Sequence, residues 1–264
     1  MKRSQQHTRA PLTLVLPALL AVALLTVPLL GLVQRAPWSS LWTHLNADSV
    51  RQAMRVSLIV SVSAAALCLL LGLPLAWVLA RSERRLLRLL RALVLLPMVL
   101  PPVVAGTALL FALGRRGLIG QWLDAWLGVT LPFTTVGAVL AGTFVALPFF
   151  VITVESALGA HSRDLEEAAA VSAAGSLVAF ITVTVPAARN AIGAGLALAW
   201  ARALGEFGAT ITFAGNQRGR TATLPLQTYL ALESDREAAI AMSLLLLVIS
   251  LTVLISLRGS WLRR

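Results

Sequence analysis

From Val56 to Ala80 the chain carries no charged side chain, and that run does most to restrict the fold. A helix crosses the hydrocarbon core of a bilayer in about 20 residues. Comparable stretches lie at Pro11 to Val33 and Ala238 to Leu257, and no charge falls between Asp124 and Glu155. In lipid every backbone polar group must be satisfied internally, which leaves helices or closed barrels. Alternating ten-residue strands, the mark of a membrane barrel, are absent. Charged residues make up 12% of the 264, against roughly 25% in soluble domains. The chain reads as an all-α integral membrane protein, one domain over residues 1–264.

Six spans account for the runs. The first covers about 11–33, with Lys2, Arg3 and Arg9 ahead of it. A cleavable signal peptide is the competing reading, but the run is too long for a typical signal core. The second runs from Val56 to Ala80, with Gly72 and Pro74 expected to loosen or kink it. The third covers 92–113 and holds Pro97, Pro101 and Pro102, which predicts a broken helix facing the bundle interior. The fourth starts near Phe133, the fifth runs from about Pro186 to Phe213, and the last is Ala238 to Leu257. Trp38 with Trp42, and Trp122 with Trp126, are spaced four apart and suit the membrane interface or packing between spans. The basic cluster Arg81, Arg84, Arg85, Arg88 and Arg91 marks an inner loop, and Gly215 to Glu237 an outer one. Both termini then lie in the cytoplasm, although Arg51, Arg55, Arg115 and Arg116 oppose the charge bias.

Several chemistries are excluded or disfavoured. The net charge of +11 is spread between apolar runs rather than gathered on a soluble face, so it reads as a topology signal and not as a nucleic-acid footprint. Lys2 is the only lysine, which rules out a Walker A phosphate loop in this chain. Any ATP dependence must come from a partner. His7, His44 and His161 lie outside the spans without metal-ligand spacing. No Gly-x-Ser-x-Gly elbow or paired intramembrane carboxylates occur, so neither an enzyme nor a bound cofactor is expected. Cys68 stands alone in an apolar run and reads as a packed thiol.

Two stretches carry functional candidates. Within the fifth span, Arg202 and Glu206 are four apart, so they share a helix face and can pair. Ionisable residues inside a span are functional candidates, here as a polar element of a translocation path or outer gate. A pair at the membrane interface is the alternative. Gly205 and Gly208 flank them, and Gly193, Gly195, Ala197, Ala199 and Ala201 keep the span slim enough for close helix approach or a pore. Outside, Arg218 and Arg220 either raise the local concentration of an anion or belong to a solvated loop.

The second stretch is Leu165-Glu166-Glu167-Ala168-Ala169-Ala170-Val171-Ser172-Ala173-Ala174-Gly175, running on to Pro186. Ala168 to Ala188 is charge-free and long enough to span, yet its Ala, Ser, Thr and Gly content inserts weakly. Only Arg189-Asn190 would separate such a span from the next. A surface helix over about 163–176, then a turn, fits better than a seventh span.

Glu167-Ala168-Ala169, with Pro186 downstream, resembles the EAA loop of bacterial ABC importer permeases. Ala201-Arg202-Ala203-Leu204-Gly205-Glu206-Phe207-Gly208-Ala209-Thr210 is similar to a segment of molybdate permeases. So are Gly219 to Leu226 and the run Leu96 to Gly106. Sulfate permeases carry a close relative of the first segment with Tyr at the Phe207 position. The resemblance covers roughly 50–257 and implies a type I ABC importer fold with a cytoplasmic coupling helix between spans four and five. It implies an importer in the bacterial plasma membrane for molybdate, with tungstate a candidate second cargo, and sulfate or thiosulfate as the rival substrate. An ABC ATPase subunit, an extracytoplasmic oxyanion-binding protein and a second permease copy are the implied partners. Glu166, Glu167, Ala168, Ala169, Ala173 and Gly175 would form the contact with the ATPase. The family's usual glycine, six residues after the motif glutamate, is Ala173 here. Either the helix runs a further turn, or Gly175 takes over the turn. An ion-coupled secondary transporter fits less well, because such proteins place acids at mid-depth and often show inverted repeats.

Overall fold

The computed structural model describes residues 12–82, 85–160 and 176–261, and all regular structure among them is helical. In chain order these are α1 (Leu12–Gln34), α2 (Leu41–Leu45), α3 (Asp48–Arg81), α4 (Arg85–Val99), α5 (Pro102–Leu113), α6 (Gly120–Leu127) and α7 (Thr135–Ala160). The chain then continues with α8 (Ser176–Ala179), a π-helical turn (Phe180–Thr184), α9 (Val185–Ala187), α10 (Arg189–Leu204), α11 (Gly208–Phe213), α12 (Leu224–Ser234) and α13 (Arg236–Trp261).

The centre is a three-helix core of α3, α7 and α10. Small side chains on each, including Ala64, Cys68, Ala76, Ala146, Ala199 and Ala203, let the backbones approach around Phe150, Leu79 and Val154. A Cβ at Gly72 would lie 2.6 Å from Phe150 Cδ1, so this glycine is a notch for the ring. Helix α3 runs through Gly72 and Pro74 as one helix of 34 residues, about 51 Å at 1.5 Å per residue. Packing on Phe150 and Leu147 holds it through the proline.

Contacts fix the relative directions of the core helices. Gly142 of α7 faces Val60 and Ala64 of α3 and Ala203 of α10, whereas Gly195 faces Phe150 and Val154. Helices α3 and α7 therefore run parallel, and α10 runs against both. Around this core α1 leans on α13, with no buried residue in its apolar window, as expected of a helix facing lipid.

Four helices are long and apolar enough to cross a membrane, α1, α3, α7 and α13, and two bent pairs raise the number to six if each counts as one span. The first pair, α4 and α5, turns through 118° at Leu100-Pro101. Pro101 takes an extended ψ of 136° and Pro102 opens α5, because a proline disfavours helical geometry in the residue before it. The expected third span begins earlier than 92, since Arg85, Arg88 and Arg91 are helical in α4 and not in a loop. The second pair, 177–187 and α10, bends by 76° at Ala188. Pro186 thus belongs to the segment before the bend, and α10 starts at Arg189. The supposed polar loop 215–237 contains α12, whose Leu224 and Leu226 are fully buried.

Candidate functional site: two ion pairs at opposite ends of the core

Helix α10 ends at Leu204, and Gly205, Glu206 and Phe207 form a break before α11. Close packing dictates where the chain restarts. A Cβ on Gly208 would come 2.5 Å from Pro102 Cβ, and one on Gly106 would come 2.8 Å from the Ala209 carbonyl oxygen. Glycine at both positions lets α5 and α11 touch backbone to backbone. Phe207 is held from the other side by Tyr229 of α12, with ring centroids 5.1 Å apart.

Glu206 sits in this break with 2% of its side chain exposed. Its Oε2 pairs with Arg202 Nη1 at 2.7 Å, and its Oε1 accepts the Ala209 N–H at 2.8 Å. A buried carboxylate is tolerated only when paired and hydrogen-bonded, and both oxygens have partners here. The expected pairing is present, but not on one continuous helix face: Glu206 lies beyond the helical end and joins α10 to the first turn of α11. Arg202 keeps 28% of its side chain exposed, so it is less deeply buried than its partner. Of the candidate residues, Arg202, Gly205, Glu206 and Gly208 are therefore brought together. Of the small residues nearby, Gly195 packs on Phe150 and Val154, whereas Gly193 meets nothing within 4 Å.

The segment 219–226 folds beside α3. Gly219 has φ +70°, and the first N–H of α12, on Leu224, donates to Ser57 Oγ at 2.7 Å. Arg218 and Arg220 are exposed. Trp38, Trp42, Trp122 and Trp126 are also exposed, with the last two rings 5.3 Å apart on α6. Beside them Arg115 Nε bonds Asp124 Oδ2 at 2.8 Å, which raises the arginine further above its ordinary value. Cys68 is fully buried. Among the described residues no three His, Cys, Asp or Glu side chains could hold a metal ion.

A second ion pair escaped the sequence reading. Near the other end of α7, Arg91 Nε of α4 donates to Glu155 Oε1 at 2.5 Å, and Arg91 Nη2 donates to the Leu79 carbonyl oxygen at 2.5 Å. Arg81, the last residue of α3, donates from Nη1 to the Leu158 carbonyl oxygen at 3.2 Å. The C-terminal ends of α3 and α7 thus meet two cations, which the helix dipole favours. Arg91 and Glu155 are 64 residues apart, so no local spacing announces them. The one signal was Glu155 itself, which ends the charge-free run.

The described part of α7 reaches Ala160, and the next described residue is Ser176. Glu166, Glu167, Ala168, Ala169, Ala173 and Gly175 all lie outside the described residues.

Comparison with known proteins places this geometry. Residues 69–260 match the family model for the binding-protein-dependent transport system inner membrane component. The molybdenum transport system permease protein ModB of Mycobacterium tuberculosis is 44% identical over 248 residues, 94% of each chain. ModB of Escherichia coli is 40% identical over 217 residues, covering 82% of this chain and 95% of its own. A probable sulfate transport system permease protein, cysT of Nephroselmis olivacea, is 35% identical over 237 residues, 88% of this chain and 83% of its own. Among solved structures, a bacterial ABC transporter involved in alginate import superimposes with a TM-score of 0.72 at 20% identity, covering 95% of this chain and 94% of its own. That likeness concerns the fold. With the family match spanning most of the sequence, the chain belongs to the inner membrane components of binding-protein-dependent transport systems.

Proposed function

We propose that the chain is the membrane-spanning subunit of an ATP-driven importer of molybdate, with tungstate as a second cargo. The observation that carries this reading is the 44% identity to the Mycobacterium tuberculosis molybdenum permease over 94% of both chains. Each bent pair counts as one span, which makes six, in a single domain over 1–264 with both termini cytoplasmic. Two copies line one pathway, two ATPase subunits sit below, and a binding protein delivers the oxyanion from outside in a bacterial plasma membrane. ATP hydrolysis belongs to the partner subunit, and this chain is not itself an enzyme. Closure of the ATPase pair on ATP rocks the spans between two arrangements, exposing the path to each side in turn.

Residues 163–176 form the coupling helix. Glu166 and Glu167 make polar contact with the ATPase, Ala168 and Ala169 allow close packing, and Ala173 with Gly175 governs where the helix ends. The Arg202–Glu206 break, with Gly205 and Gly208, forms a polar element of the path or outer gate. Its support is the partly exposed Arg202 side chain paired with a buried Glu206.

The Nephroselmis olivacea relative keeps sulfate as the second reading. Uptake of radiolabelled molybdate by cells carrying the complete transporter separates the two: a large excess of sulfate should leave it unchanged. Strong competition by sulfate would overturn the substrate assignment. Glu167→Lys should abolish uptake while the protein still inserts, and normal uptake by that variant would sink the coupling assignment. Exchanging Arg202 and Glu206 should preserve an ion pair yet disturb passage of the anion. Unchanged uptake after neutralising both would retire the gate.

A further inference from the structure

The ends of α3 and α7 that meet Arg91 and Arg81 lie next to the point where the chain enters residues 161–175. Glu155 is five residues before Ala160, the last residue of α7. Arg91 alone touches three elements: it belongs to α4, pairs with Glu155 of α7 and donates to the Leu79 carbonyl of α3. Arg81 adds a second tie, from the end of α3 to the Leu158 carbonyl of α7. The carbonyls at a helix end have no partner within their own helix, and that of Leu79, in the last turn of α3, is met here by a guanidinium group from outside it. The pair is partly exposed, with 35% of the Arg91 side chain and 20% of that of Glu155 uncovered. An ion pair so placed contributes little to overall stability. It does determine which helix ends move together.

We propose that Arg91 and Glu155 are positioning residues that bind the ends of α3, α4 and α7 into one rigid unit, through which displacement of the 161–175 segment is passed to the spans. This rests on the proposed role of that segment as the contact with the ATPase. The long arm α3, packed on α7 along its length, carries the displacement toward the Arg202–Glu206 break. Without the pair, α7 and α3 still move together through their packing and the Arg81 tie, while α4 lags behind. The ATPase still turns over, but less of each closure reaches the path.

The test is the complete transporter, permease with its ATPase and binding protein, reconstituted in proteoliposomes. Oxyanion uptake and ATP hydrolysis are measured on the same preparation. Glu155→Gln retains a hydrogen-bonding group but removes the charge. It should lower the oxyanion moved per ATP by about tenfold, with hydrolysis close to the wild-type rate, a loss within the range by which residues between coupled sites alter coupling. Arg91→Lys reaches only one of the two acceptors and should give an intermediate loss of about threefold. An unchanged ratio in Glu155→Gln overturns the proposal. So does a proportional fall of uptake and hydrolysis together, which marks a general defect in assembly. Should Glu155→Gln fail to accumulate, Arg91→Lys reads the same ratio, and no change there overturns the proposal equally.

The assay uses molybdate or sulfate, whichever the wild-type complex takes up, so a wrong substrate reading leaves it intact. Glu167→Lys is run alongside. Coupled uptake by that variant shows that the contact lies elsewhere, whatever Glu155→Gln does.

Discussion

The Arg202–Glu206 and Arg91–Glu155 ion pairs use the same chemistry near opposite ends of α7 and hold different things. Arg202 and Glu206 are four residues apart, and their bond closes a local break between α10 and α11. Arg91 and Glu155 are 64 residues apart, and their bond joins separate helices. Burial differs as well: 2% of the Glu206 side chain is exposed against 20% for Glu155. A deeply buried pair is costly to break from one side, because it leaves an uncompensated charge. A partly solvated one is cheap to break, since water takes over. The first pair is therefore expected to show itself in stability, and the second in how motion is shared among helices.

The largest effect should come from Glu206→Ala, which strands Arg202 and removes the acceptor of the Ala209 N–H. Loss of about 3 kcal/mol is expected, visible as a lowered unfolding temperature of the detergent-solubilised protein. A shift no larger than that of Glu155→Gln would erase the contrast between the pairs. Next comes Gly106→Ala, which pushes a methyl group to 2.6 Å from Thr212 Cβ and 2.8 Å from the Ala209 carbonyl. Overpacking of this kind costs about 2 kcal/mol, and the same unfolding assay would show whether the α5–α11 contact is as rigid as it looks. Glu155→Gln should cost about 1 kcal/mol or less, its signature being lost coupling instead. The smallest effect is expected at Gly159, near the end of α7, where a Cβ meets nothing within 4 Å. Gly159→Ala should raise stability by about 0.5 kcal/mol through helix propensity. A marked loss there would show that this end is packed more tightly in the assembled transporter.

Much of the architecture was legible in the chain because hydrocarbon is an unforgiving solvent. The charge-free runs lie largely within α1, α3, α7 and α13, although α3 begins at Asp48, well ahead of the run that starts at Val56. Proline pairs located the α4–α5 break at Leu100-Pro101. The spacing of Arg202 and Glu206 announced their bond. What misled was again local: Leu224 and Leu226 fall in a stretch that reads as a polar loop, yet both are buried in α12. The Glu167-Ala168-Ala169 motif named the family, which the relatives bear out, while its residues lie outside those the structure describes.

What the sequence by itself determined is a helical membrane protein of this transporter class, because backbone polarity in lipid leaves few folds and short-range spacing brings helical neighbours together. Only the tertiary structure decided that Gly72, Gly106 and Gly208 are contact notches, that Glu206 bridges two helices beyond a helical end, and that Arg91 meets Glu155. Each of these depends on which surfaces three packed helices turn toward one another, and no local pattern encodes a meeting of residues 64 positions apart.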